Sequence, residues 1–211
     1  MFKDRDEAAR KLVEFLVHLR GHRPLVLAVP RGGVPMGRII ADGLGGELDV
    51  VLVHKLGAPG NPEFAVGAVD EEGDVEVADW ARRLGVPEDY LQEEARRQSE
   101  RLRERRRLYT PVRAPIERGG RVVIVVDDGV ATGATMKSAL RLVRKAGPER
   151  LVAAVAVAPP DALESLREAA DEVVCLDSPR AFQAVGQFFR NFDQVEDDAV
   201  VRALQPRDGG S

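Results

Sequence analysis

The sequence predicts an α/β protein, a parallel sheet of about five core strands with helices covering both faces. Three observations carry that expectation. The runs "PLVLAVP", "RVVIVV" and "RLVAAVAVAPP" are apolar at successive positions, as in strands buried on both faces. Stretches with apolar residues at helical spacing separate them. Glycine, proline and small residues punctuate the joints between the two kinds of segment.

The elements follow in order. Residues 4–20 place Ala8, Leu12, Phe15, Leu16 and Leu19 on one helical stripe, and "GHR" ends that helix. "PLVLAVP" is the first strand, "RGGV" turns the chain, and Val34 to Leu44 is a second helix. "DVVLVHKL" reads as a second buried strand. The glycine- and proline-rich "GAPGNPEFAVGAVDEEGDV" follows, with strand-like pieces at 64–69 and 74–78. A long polar helix runs from Pro87 to Leu108. "RVVIVVDD" is a buried strand, and Thr132 to Ala146 a helix that stops at "AGP". The strand "RLVAAVAVAPP", a helix at 161–169 and the strand "DEVVCLD" complete the alternation. A tail at 178–204 ends in a short acidic helix near 196–204. No linker divides the chain, so 1–211 is expected to form one domain. Residues 54–112 are then an insertion over the carboxyl edge of the sheet.

Composition narrows the function classes. The formal net charge is -4, so no global positive field favours nucleic acid or an anionic membrane. No apolar run approaches the ~20 residues of a membrane span, and the amphipathic start lacks a signal-peptide core; a cytoplasmic protein is expected. Cys175 is the only cysteine, which excludes an internal disulfide and a cysteine-based zinc cluster. It reads as a plain buried thiol.

The chemistry concentrates in "VVIVVDDGVATGATM", Val122 to Met136. Ligands of open α/β sheets bind beyond the carboxyl ends of the strands, where Asp127 and Asp128 fall. The small-residue turn after them opens a helix whose N–H groups, with the hydroxyls of Thr132 and Thr135, suit a phosphate. Two acids beside such a cradle suit a sugar phosphate, with the carboxylates accepting from vicinal hydroxyls and helping to hold Mg²⁺ through water. A P-loop and a dinucleotide fingerprint are both missing. A sugar-phosphate hydrolase or kinase lacks an accompanying nucleophile or phosphate-binding lysine motif.

A hydrophobic strand, two acids, two spacers, a small residue and T-G-x-T together resemble the phosphoribosyl pyrophosphate (PRPP) motif of type I phosphoribosyltransferases. The resemblance extends over about 24–190. It implies a type I phosphoribosyltransferase-like sheet with an inserted lid and a C-terminal hood, and Mg²⁺-dependent transfer from PRPP to a nitrogenous base. It assigns the ribose hydroxyls to Asp127 and Asp128, and the 5′-phosphate to Ala131, Thr132, Gly133, Ala134 and Thr135. It makes "AVPRGGVP" the pyrophosphate loop, with Arg31 on the pyrophosphate and Gly32 and Gly33 letting the backbone approach. The catalytic lid becomes "VHKLGAPGNPEFAVGA", where Lys55 would neutralise leaving-group charge; His54 and Glu63 are weaker candidates.

Three matters stay open. Phe182, Phe188, Phe189 and Phe192 in the tail either stack on a planar base or pack the tail onto the sheet. The family's 6-oxopurine enzymes place an aspartate just before T-G, where this chain has Ala131; that disfavours hypoxanthine or guanine and leaves adenine, pyrimidines or an unusual acceptor. The arginine-rich helix 87–108 reads as a solvated or dimer-facing face, with Glu93–Arg97 and Glu100–Arg103 as internal pairs. Its 105–107 end could instead reach the pyrophosphate, or the helix could serve a non-catalytic PRPP-sensing regulator that binds RNA or a protein.

Overall fold

The computed structural model describes residues 1–77, 81, 83, 85–111 and 114–205, with the side chains of 62, 63 and 65 left aside. Five strands form a parallel sheet in the order β2-β1-β6-β7-β8. They are β1 (Leu25–Ala28), β2 (Glu47–Val50), β6 (Val122–Asp127), β7 (Arg150–Val157) and β8 (Glu172–Asp177). A second, antiparallel sheet holds β3 (Val53–Ala58), β4 (Asn61–Asp70) and β5 (Val75–Val77). The described helices are α1 (Arg5–Phe15), α2 (Gly33–Leu44), α3 (Glu88–Tyr109), α4 (Ala134–Lys145), α5 (Pro160–Arg167) and α6 (Asp197–Leu204).

The doubly apolar strands do what their composition requires. Successive side chains of a strand point to opposite faces. Val26, Ile124, Val126, Val152 and Ala154 enter a core with Ala9, Leu12, Met36 and Ile40 of α1 and α2. Leu25, Leu27, Val123, Val125, Leu151 and Val155 face the other way, onto Met136, Leu140, Val143 and Leu166 of α4 and α5. Each such side chain fully buried contributes about 1.5–3 kcal/mol, so the central strands are the rigid floor of the molecule. A third, smaller cluster joins Leu56, Val66 and Val69 of the hairpin to Leu91 and Ala95 of α3.

The run "DVVLVHKL" is not one strand. It is cut after Val50, and Val53–Ala58 pairs antiparallel with β4 in the second sheet. The connector, Val51 and Leu52, is itself buried, so hydrophobicity passes through the break without marking it. The segment expected to be a loose lid is a hairpin closed at Pro59 and Gly60.

The long helix also differs from expectation. Its surface pairs are Arg96 with Glu93 and Glu100, and Arg97 with Glu94, not Glu93–Arg97 and Glu100–Arg103. Arg106 turns inward. It bonds both oxygens of Glu71, Oδ1 of Asp49 and the carbonyl of Val50, with its side chain 8% exposed. Burial opposes its charge, but those bonds outweigh burial and hold its pKa above the ordinary guanidinium value. This network fastens α3 to the end of β2, which fixes where the hairpin sits relative to the main sheet.

Candidate active site

The central register brings the two sequence motifs together. Ala28 of β1 is paired with Val126 of β6, and the N–H of Val29 donates to the carbonyl of Val126 at 2.9 Å. The chain leaving β1, Pro30 to Gly33, therefore runs beside the chain leaving β6, Asp127 and Asp128. The Pro30–Arg31 peptide is cis.

Two glycines make that approach possible. A Cβ at Gly32 would lie 2.1 Å from Oδ2 of Asp128, and one at Gly33 would lie 2.6 Å from the carbonyl oxygen of Val126. No side chain fits at either distance. The first turn of α2 is thus pressed against the acid pair, and the glycines serve that contact as well as any contact with a ligand.

The acid pair is held unequally. Oδ1 of Asp127 accepts the N–H of Asp128 at 2.9 Å. Oδ2 of Asp128 accepts Nε–H of Arg5 at 2.8 Å. Burial, and then the adjoining Asp128 carboxylate, push the Asp127 pKa well above the usual aspartate range. Burial also raises Asp128, while its bond to Arg5 pulls it partly back. Asp127, partly exposed at the end of β6, stands beside a second acid, an arrangement that a divalent cation relieves. Asp127 is the carboxylate of the pair open to a cation such as Mg²⁺, while Asp128 is already partnered by Arg5.

Beyond the pair, Gly133 adopts a left-handed φ of 75° at the N-cap of α4. The N–H of Ala134 lies 3.4 Å from Oγ1 of Thr132. A cavity of about 180 Å³ is lined by Asp127, Gly129, Val130, Ala131, Thr132, Gly133, Ala134, Thr135 and Met136. The residues expected to form a phosphate cradle thus surround one small hollow, with the first acid at its edge.

Arg31 is partly exposed and faces Oδ1 of Asp197 at 3.8 Å. The same oxygen accepts the Tyr109 hydroxyl at 2.8 Å, and burial followed by that bond pushes the Tyr109 pKa up to about 12. Sequence reading did not place Tyr109 and Asp197 at the site, and they bring α3 and α6 to Arg31 of the "RGG" turn. Lys55 is exposed on β3, and the structure places no described site residue against it. His54 lies among the charges of α3, Glu94, Arg101 and Arg105, and burial holds its pKa below the ordinary imidazole value. The Glu63 side chain lies outside the described residues.

The tail aromatics pack rather than wait. Phe189 meets Phe2 at 5.4 Å and Phe192 at 5.0 Å between ring centroids, and Phe182 stacks on Phe188 at 5.2 Å. Backbone bonds from Phe2 to Phe188 and from Arg190 to Phe2 sew the tail to the chain's start. Arg5 covers the Phe192 ring at 3.8 Å. Cys175 is half-buried; burial pushes its thiol up to about 11, and it donates to the carbonyl of Asp177.

Asp70, Glu72 and Asp74 form a second acidic group at the β4–β5 turn, with potential ligand atoms within 4.8 Å of one another. The buried Arg118 stands 3.9 Å from Asp70 and 3.7 Å from Glu72, so the protein supplies its own counter-charge there. Among the described residues, no helix is long and apolar enough to cross a membrane.

Comparison with known proteins gives the same frame. A family model described as "Phosphoribosyl transferase domain" matches residues 2–190. Two Mycobacterium tuberculosis proteins (strains CDC 1551 / Oshkosh and ATCC 25618 / H37Rv), provisionally named phosphoribosyl transferases, are each 42% identical over 206 residues. The match covers 97% of this chain and 46% of theirs, so the chain spans about half the length of those curated relatives. The crystal structure of TT1426 from Thermus thermophilus is 49% identical, covers 97% of both chains and gives a TM-score of 0.88. A purine phosphoribosyltransferase from Pyrococcus horikoshii Ot3 shares the fold, with a TM-score of 0.50, 16% identity, and coverage of 91% of this chain and 93% of its own.

Proposed function

Since the chain belongs to the phosphoribosyl transferase domain family, we propose that it transfers the 5-phosphoribosyl group of PRPP to a nitrogen acceptor and releases pyrophosphate. One observation carries the reading. The "RGG" turn and the Asp127–Asp128 pair, 94 or more residues apart in sequence, abut at neighbouring strand ends beside a small cavity lined by "ATGAT".

In this reading the cavity takes the 5′-phosphate, bound by the N–H groups of 132–135 and the threonine hydroxyls. Asp127 and Asp128 accept from the ribose hydroxyls. Arg31 and the backbone of Gly32 and Gly33 hold the pyrophosphate. The acceptor nitrogen forms a bond to C1 of the ribose as the C1–oxygen bond breaks. The electron pair leaves with pyrophosphate, and the acceptor's N–H proton passes to solvent. Positive charge spreads over the ribose in the transition state, and fixed dipoles and charges aimed at it lower the barrier. Asp127 is the residue that would hold Mg²⁺, which when bound would offset charge on the departing pyrophosphate. Lys55, on the hairpin, would reach the leaving group when the hairpin closes.

Four of the seven arginines of α3, Arg96, Arg97, Arg103 and Arg106, are engaged with acids or carbonyls of this chain, which lessens the basic surface that an RNA-binding regulator would use. The structure adds nothing that selects a base, and Ala131 continues to disfavour 6-oxopurines. The test is pyrophosphate release from PRPP and Mg²⁺ across a panel of purine, pyrimidine and pyridine bases. Release with at least one base, lost in Asp128→Asn, supports the reading. Equal release by Asp128→Asn removes the acid pair from the reaction.

A further inference from the structure

Arg5 opens α1, and Asp128 lies 123 positions further along the chain. Three contacts hold its guanidinium. Nε donates to Oδ2 of Asp128 at 2.8 Å, Nη1 donates to the carbonyl of Asp193 at 2.8 Å, and the central carbon stands 3.8 Å from the centroid of the Phe192 ring. The Arg5 and Asp128 side chains are 13% and 11% exposed. A charge-assisted bond so withdrawn from water is stronger and better fixed than an exposed ion pair.

Oδ2 of Asp128 is confined from the other side too. It sits where a Cβ of Gly32 would fall, at 2.1 Å. The carboxylate is therefore wedged between the pyrophosphate turn and Arg5. Phe192 and Asp193, the other supports of Arg5, belong to the tail segment that follows β8. One guanidinium joins the N-terminal helix, the tail and the second acid. Its planar fork is what allows three surfaces to be met at once; a lysine offers a single point.

We propose that Arg5 is a positioning residue of the transfer site. It fixes the Asp128 carboxylate in one orientation at the strand end, and it makes the tail and the acid pair move as one body. This rests on the phosphoribosyl transfer reading, and the experiment separates the two.

PRPP binding is measured by calorimetry with Mg²⁺ on the wild type, Asp128→Asn, Arg5→Gln and Arg5→Lys. Amide exchange at 189–195 is followed with and without PRPP. Failure of the wild type to bind PRPP overturns the transfer reading and this inference with it. Given wild-type binding that Asp128→Asn loses, Arg5→Gln is expected to weaken PRPP about tenfold or more, with Arg5→Lys recovering part of the loss. PRPP should slow exchange at 189–195 in the wild type and not in Arg5→Gln. Wild-type affinity and exchange response in a folded Arg5→Gln protein overturn the proposal. Tighter PRPP binding by Arg5→Gln also overturns it, because Arg5 would then compete with the ribose. If Arg5→Gln does not fold, Arg5→Lys decides: an unchanged dissociation constant and exchange response overturn the proposal, and a weakened pair supports it.

Discussion

Gly32 has no room for a side chain because Oδ2 of Asp128 occupies the position, 2.1 Å from where a Cβ would stand. The two motifs of the site therefore form one packed unit. Gly32→Ala must displace the carboxylate, whose side chain can rotate, at a cost of about 1–3 kcal/mol in stability. The larger effect falls on the ligand if the proposed function holds, because the rotated carboxylate leaves Arg5 and the place proposed for the ribose. PRPP affinity is expected to drop by more than about tenfold while the protein stays folded. Calorimetry alongside thermal melting checks both halves. Gly33→Ala meets backbone at 2.6 Å instead, and is expected to melt lower than Gly32→Ala.

The Arg106 network gives a prediction about stability alone. Arg106→Leu leaves Glu71 buried without its cation and takes one partner from Asp49, which costs about 3–5 kcal/mol. Urea unfolding should show a correspondingly lower midpoint. Arg96→Ala, on the exposed face of the same helix, should leave the transition close to wild type. Equal effects of the two changes would mean that the inward network does not fasten α3.

Much of this arrangement is legible in the sequence, and the exceptions have physical causes. Both motifs are continuous in sequence and follow apolar runs, so hydrophobicity places them at strand ends without knowledge of tertiary contacts. The split of "DVVLVHKL" is hidden because its joint, Val51–Leu52, is buried. Arg106 is hidden by composition, since a run of arginines reads as a wet surface. Position carries the missed signal: Leu91, Ala95, Gln98, Leu102, Arg106 and Tyr109 follow one helical stripe, and Arg106 falls on its buried side. Arg5 left no local trace, because its partners are 123 and 188 residues away and its own neighbourhood reads as an ordinary helix start capped by Asp4.

The acid pair predicts a pH dependence of stability. The folded-state pKa of Asp127 is raised, so between the ordinary aspartate value of 3.8 and the raised value the folded protein binds more protons than the unfolded chain. Stability must then fall as pH rises through that window. Asp127→Asn removes the titrating group. The melting temperature of the wild type minus that of Asp127→Asn should decrease as pH rises above the ordinary aspartate value of 3.8. A difference that stays flat or rises would mean that the Asp127 carboxyl is not held above that value.

Asp197 presses on the site from the tail. Its Oδ1 lies 3.8 Å from Arg31 and accepts the Tyr109 hydroxyl at 2.8 Å. Asp197→Asn keeps an oxygen for Tyr109, so α6 should remain docked, but it removes the charge that, under the proposed function, would compete with pyrophosphate for Arg31. The Arg31–Asp197 pair is substantially exposed, so its net worth is about 0–1 kcal/mol, and the gain in pyrophosphate affinity is capped at about fivefold. Pyrophosphate inhibition or direct binding, measured at low and high salt, checks this. Tighter binding at low salt that fades at high salt places Arg31 on the pyrophosphate, since screening weakens a competition between exposed charges. Unchanged binding at low salt, with the tail still docked, would take Arg31 out of the pyrophosphate site and leave that role to the backbone of Gly32 and Gly33.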